Sequence, residues 1–127
     1  MKAKKEFKEE YKQMNFRMGV FQIRNTVNNK IFIESSTDLI SIWNRHRFQL
    51  NLGSHPNSGL QKDWNELGED KFKYEIVSEI KQSETEIVDC QKQIKLLEVM
   101  VLEELQPYND KGYNRRSKKL INQAIKN

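Results

Sequence analysis

Between Met18 and Ser36 apolar and polar residues alternate twice around an Asn28-Asn29 pair, and nothing else in the chain restricts its folding as much. A period of two marks half-buried strands, and two asparagines in a row tolerate the positive φ angles of a tight turn. The segments from Val20 to Val27 and from Ile31 to Ser35 therefore predict a β-hairpin closed by a two-residue turn. With Val27 opposite Lys30, the register puts Ile23 opposite Glu34 and Asn25 opposite Phe32. Alternation then sends Phe21, Phe32 and Glu34 out of one side, where a site belongs.

The rest of the chain reads as helices around a small sheet. Phe7, Tyr11 and Met14 recur at helical spacing among Lys and Glu, which predicts an amphipathic helix within residues 1–16 that lies on the domain or on a partner. Ser36-Thr37-Asp38 supplies caps for a helix from about Asp38 to Asn51, ended near Gly53. Its apolar face carries Leu39, Ile42, Trp43, His46 and Leu50. Pro56-Asn57-Ser58 opens a second helix with Leu60, Trp64 and Leu67, stopped at Gly68. Phe72, Tyr74 and Ile76 alternate as a third strand. A long helix follows from about Glu84 to Leu105, halted by Pro107.

Charge is divided unevenly. All 18 acidic residues precede position 111, so the net +4 resolves into −2 for the body and +6 for the last 17 residues. In that tail Lys111, Arg115, Arg116, Lys118, Lys119 and Lys126 suit a phosphate backbone or a solvated end equally. Cys90 is the single cysteine, which excludes an internal disulfide and a cysteine metal cluster. Its expected place is as a small side chain beside a helix core. No apolar run reaches membrane-spanning length and no secretory signal core opens the chain, so a cytoplasmic protein with no membrane contact is expected.

From roughly Arg17 to Asn114 the chain resembles the GIY-YIG nuclease family. The two family tripeptides read here Gly19-Val20-Phe21 and Phe32-Ile33-Glu34. The likeness continues through Ser35-Ser36-Thr37-Asp38-Leu39, Trp43-Asn44-Arg45-His46, Leu60-Gln61-Lys62-Asp63-Trp64-Asn65, Gly68-Glu69-Asp70 and Gly112-Tyr113-Asn114. The resemblance implies an α/β domain over 17–114, with about three strands flanked by helices. The helix within 1–16 and the basic tail 115–127 are additions to it. It also implies a phosphodiester-hydrolysing site built from two tyrosines, an arginine, a histidine, a metal-holding glutamate and an asparagine.

At those positions the chain keeps His46, Glu98 and Asn114. It departs at four: Phe21 and Phe32 stand for the tyrosines, Glu34 for a glycine and Ile42 for the arginine. A phenylalanine ring has no group that takes a proton from water. Isoleucine removes a fixed cation from the transition state, where loss of one such group costs on the order of a hundred- to a thousand-fold in rate. Glu34 places an anion where a phosphate would approach.

The remaining candidates carry alternatives. Glu98 falls inside the apolar stripe of Ile87, Ile94, Val101 and Leu105, so its carboxylate needs a metal, a cation such as Arg45 or Arg47, or solvent. His46 is a core histidine or a site residue. Asn114 fixes a turn or touches the site, with Asn109 a rival for the same position. Glu34 pairs with Arg24, or joins Glu98 on magnesium or manganese, whose hard oxygen preference fits two carboxylates. Tyr74, Trp43 and Trp64 read as packing residues.

The expectation is thus a nuclease-family domain that has lost its hydrolytic chemistry and keeps a groove for nucleic acid, DNA before RNA. Arg45, Arg47, Arg115, Arg116, Lys118 and Lys119 are the contacts expected there, and no cofactor is needed. The alternatives are a magnesium- or manganese-dependent DNA endonuclease with substituted groups, and a module that binds a protein partner or a second copy of itself.

Overall fold

The computed structural model describes residues 17–80 and 87–115, the side chains of 87–90 excepted. Strands β1 (Met18–Asn25), β2 (Ile31–Ser36) and β3 (Phe72–Ile80) form an antiparallel sheet in the order β2-β1-β3. Helices α1 (Leu39–Leu52) and α2 (Ser58–Leu67) connect β2 to β3, and α3 (Ile87–Leu105) follows β3. This is the expected α/β arrangement. The helix within 1–16, the first residues of the long helix, the Cys90 side chain and the tail beyond Arg115 lie outside what is described.

The hairpin register differs from the sequence reading by two residues. Asn25 N–H bonds to the Lys30 carbonyl at 2.9 Å, and the pairs run Ile23 opposite Phe32 and Phe21 opposite Glu34. The loop therefore includes Thr26 and Val27, with Val27 60% exposed. Asparagine side chains are the cause. Asn25 Oδ1 accepts from Val27 N–H at 2.9 Å, Asn28 Oδ1 accepts from Lys30 N–H at 2.9 Å, and Asn29 takes a left-handed φ of 65°. Each side chain offers the backbone a local turn that a two-residue hairpin lacks. An even slip preserves the faces, so Phe21, Phe32 and Glu34 still share one side.

Helix ends follow their capping residues. Asp38 Oδ1 accepts from the N–H groups of Ile40 and Ser41 at 3.3 and 3.1 Å, and Asn57 Oδ1 accepts from Leu60 N–H at 3.0 Å. These bonds satisfy donors that the first helical turn leaves unpaired. At the first residue of the first tripeptide, Gly19 has φ 154°, and a Cβ there would lie 2.0 Å from the Ser78 carbonyl oxygen. Glycine at this position lets β1 and β3 approach.

The two sheet faces carry separate cores. Toward α1 and α2 lie Phe21, Ile23, Leu39, Leu50, Leu60, Trp64, Phe72 and Tyr113. Toward α3 lie Val20, Ile33, Val101 and Leu102, with Met18 against Ile94 beside them. Past α3 the chain returns to the sheet edge at β2, where Tyr113 N–H bonds to the Ile31 carbonyl at 2.9 Å. Gly112 makes this return, since a Cβ would meet the Pro107 and Ile31 carbonyl oxygens at 2.4 and 2.5 Å. Among the described residues no helix is long and apolar enough to cross a membrane.

Candidate active site

On the α1 side of the hairpin, β2 sends out Phe32 and Glu34 and β1 sends out Phe21, while α1 brings His46 over them. His46 is 5% exposed, and both its ring nitrogens have partners. Nε2 lies 2.6 Å from Glu34 Oε2, and Nδ1 lies 2.7 Å from Nε2 of His55, in the loop between α1 and α2. His55 Nδ1 accepts from Asn57 N–H at 3.0 Å.

That last bond fixes the protons of the whole row. A nitrogen accepting from a backbone N–H carries no hydrogen, so neutral His55 is protonated on Nε2 and donates to His46 Nδ1. Neutral His46 is then protonated on Nε2 and donates to Glu34. Burial, and secondarily the neighbouring His46, pull the His55 imidazole down to about 4. The row is linear, from Asn57 through His55 and His46 to Glu34, so its nitrogens and oxygens face one another and do not converge on a point.

Aromatic rings wall the row in. Phe21 and Phe32 each lie 5.6 Å from the His46 ring, and Phe32 meets His55 edge-on at 5.8 Å. Phe21 is fully buried. Tyr74, 5.2 Å from Phe21, donates its hydroxyl to the Leu39 carbonyl and is pushed up to about 12 by burial. It supplies neither missing tyrosine hydroxyl, in keeping with its reading as a packing residue. Trp43 stacks on Tyr74 at 5.0 Å and meets Trp64 edge-on at 6.4 Å, so both tryptophans pack.

The charged candidates lie apart from this centre. Ile42 packs against the α1/α2-side core and brings no cation. Arg47 pairs with Glu69 at 3.0 Å and lies over the Trp43 ring. Arg45 is exposed and forms no ion pair among the described residues. Arg115 donates to Ser58 Oγ at 3.2 Å, while Arg116, Lys118 and Lys119 fall outside the described residues.

Three sequence-based pairings are corrected. Glu34 does not pair with Arg24, which reaches diagonally across the β1–β3 pair to Glu75 and bonds it at 2.7 Å, holding that carboxyl below its ordinary value. The two arginines proposed for Glu98 are likewise elsewhere. Glu98 instead meets Lys95 at 3.3 Å on its own helix, with its side chain 16% exposed. Asn114 spends both ends of its amide on Ile33, accepting from its N–H and donating to its carbonyl at 2.7 Å each. It extends the edge of β2 as a strand would. Asn109, its rival, is exposed with a left-handed φ of 57°.

A hard divalent cation takes about six oxygen ligands, and magnesium commonly uses one or two carboxylates with water and phosphate for the rest. Among the described residues no three His, Cys, Asp or Glu side chains come together to hold an ion. Glu34 leaves the sheet on the α1 side toward His46, whereas Glu98 stands on α3 over the opposite face beside an ammonium group. The two carboxylates therefore do not meet on one ion, and a cation held by Glu98 alone would take its other ligands from water and phosphate.

Sequence reasoning missed His55 and Asn57. Asn57 caps α2, fixes the His55 tautomer through its N–H, and donates its amide to the Tyr113 carbonyl at 2.7 Å. The available signal was that His46 and His55 are the two histidines of the chain, nine positions apart, with a helix-capping triplet just after the second.

Comparison with known proteins agrees with this geometry. No family model matches the chain. Over 71 residues, 56% of this chain, it is 35% identical to intron-associated endonuclease 1 of Enterobacteria phage T4, of which it spans 29% of the length. Two solved structures overlay well. One is a point variant of the catalytic domain of intron endonuclease I-TevI, with TM-score 0.65, 30% identity and coverage of 78% of this chain and 93% of that one. The other is the catalytic domain of homing endonuclease I-TevI, with TM-score 0.64, 31% identity and coverage of 79% and 99%. The three-stranded antiparallel sheet with its flanking helices matches the fold of these domains over nearly their whole length, at 30% identity or more: the chain belongs to the GIY-YIG nuclease family.

Proposed function

We propose that this nuclease-family domain no longer hydrolyses phosphodiesters and uses its sheet and helices to engage nucleic acid, with DNA the partner that its endonuclease relatives suggest. The observation that carries the reading is the closed state of His46. One ring nitrogen donates to Glu34 and the other accepts from His55, so neither is left to take a proton from water. Around it stand two phenylalanine rings and an isoleucine, none able to activate a nucleophile or neutralise a pentacoordinate phosphate. Loss of base, cation and open imidazole together leaves no chemical step for these groups to perform. The exposed Arg45, with Arg115 and the basic residues after it, supplies phosphate contacts whose strength falls steeply with salt.

The test is cleavage of end-labelled single- and double-stranded DNA in magnesium and in manganese, comparing the native chain with Glu98→Ala. Equal and absent cleavage is expected. Cleavage by the native chain that disappears in Glu98→Ala would establish an active metal-dependent endonuclease instead. Retention of labelled DNA at low salt, released as salt rises, is the expected binding result. A stable homodimer or protein complex with no DNA retention would favour an interaction module.

A further inference from the structure

We infer that Glu34 sits in the place of a phosphate oxygen on His46, so that this face is a phosphate site filled by the chain's own carboxylate. The inference rests on the nucleic-acid reading above and names the atom that does the recognising. The Asn57 N–H forces the His55 and His46 tautomers, and the row ends in a single outward donor, the His46 Nε2–H. Such a donor bonds carboxylate and phosphate oxygens alike, with the added strength of a charged acceptor. Glu34 Oε2 holds it at 2.6 Å.

Several features separate Glu34 from an ordinary strand carboxylate. Glu75 and Glu79 on β3 each bond an arginine, Arg24 and Arg17 respectively. Glu34 has an imidazole as its partner and no arginine or lysine among the described residues, although Arg45 stands exposed one position before His46. By helical spacing Arg45 falls on the flank of α1 shared with Ile42, away from Trp43 and its stack over β3. Arg45 is thus an exposed cation on a neighbouring flank of the helix that carries His46. Glu34 comes from the edge strand with its side chain 38% exposed, so solvent and ligand reach the same spot. The His46 ring is also held by Phe21, Phe32 and His55, so it is expected to keep its place when the carboxylate is removed.

The test follows the 15N signal of the His46 side chain in the full chain as inorganic phosphate is added. Glu34→Gly, with Glu34→Ala as a second version should glycine loosen the strand, empties the seat. Glu34→Gln removes the charge but keeps an amide oxygen on the Nε2–H. A saturable His46 shift in the Gly or Ala variant, absent in the native chain and in Glu34→Gln, is expected. Single-stranded DNA should bind the emptied variants about tenfold more tightly than Glu34→Gln at equal salt. Equal phosphate binding by Glu34→Gln and Glu34→Gly would reduce the effect to charge repulsion and overturn the proposal. So would the lack of any His46 shift in both emptied variants. Failure of the native chain to bind any DNA counts against the nucleic-acid reading, and the phosphate titration decides the seat separately.

Discussion

The two faces of the sheet solve the burial problem with different chemistry. Toward α3 the contacts are aliphatic, Val20 and Ile33 against Val101 and Leu102, and Glu98 meets a lysine of its own helix. Toward α1 and α2 the core mixes aromatic with aliphatic side chains and encloses a polar row of His55, His46 and Glu34, plus a second network in which Asn25 donates to the Tyr113 hydroxyl, which donates to Asp63 at 2.6 Å. Aliphatic packing specifies that two layers touch. Buried hydrogen bonds specify which atoms touch, because a missing partner costs about 1–3 kcal/mol. Phe21, Phe32, Glu34 and His46 lie on the second kind of face, where replacing one residue obliges its neighbours to find new partners. Glu34 is such a partner.

The largest effect that tests this contrast is Phe21→Ala. Phe21 is fully buried and touches both His46 and Tyr74, so truncation should cost about 3–5 kcal/mol in urea unfolding. Val101→Ala on the α3 face removes less volume and should cost clearly less. The reverse order would mean that the aliphatic face dominates stability.

Next comes acid sensitivity. Unfolded His55 takes its proton at 6.5 and folded His55 at about 4, so the unfolded chain binds more protons between those values. Stability should therefore fall as pH drops from 6.5 toward 4, by on the order of 2–3 kcal/mol, and hold steady above 6.5. Glu75 and Glu79, held down by Arg24 and Arg17, add their loss only below 4.5. His55→Gln should flatten the slope between pH 5 and 6.5 in denaturation series; an unchanged slope would remove His55 as its source.

Asn114→Ala strips two hydrogen bonds from Ile33 and should cost about 1–2 kcal/mol, with faster amide exchange at Ile33. The smallest change is expected at Lys95→Ala. This i,i+3 pair is solvent-exposed on the lysine side and should contribute under about 0.5 kcal/mol. A larger loss would show that Glu98 depends on Lys95 to remain buried.

Local chemistry made much of the fold readable in the sequence. The caps Asp38 and Asn57, the stops Gly53 and Gly68, and the alternation in Phe72, Tyr74 and Ile76 each act over a few residues, and the elements formed where these signals stand. The hairpin register departs from the expected pairing because the side chains of Asn25 and Asn28 compete with the backbone for its own hydrogen bonds and Asn29 takes a left-handed φ. For Glu98 a remote cation was sought when one lay a turn away. The row of His55, His46 and Glu34 joins a loop, a helix and a strand, and no periodicity in the chain announces it. Knowing that His46 lay on an inward face did not reveal what its two nitrogens would meet.

The clasp of residues 112–114 on β2 has a consequence for the protein in a crowded solution. An open sheet edge is a template on which another chain can add a strand. Here the Ile31 carbonyl is taken by Tyr113, and both backbone groups of Ile33 are taken by the Asn114 amide. The opposite edge, β3, carries Lys73, Glu75 and Glu79, whose charges discourage strand addition. Asn114 thus fills the place on the β2 edge that a further strand would use: one amide does the work of a strand while offering no new edge of its own.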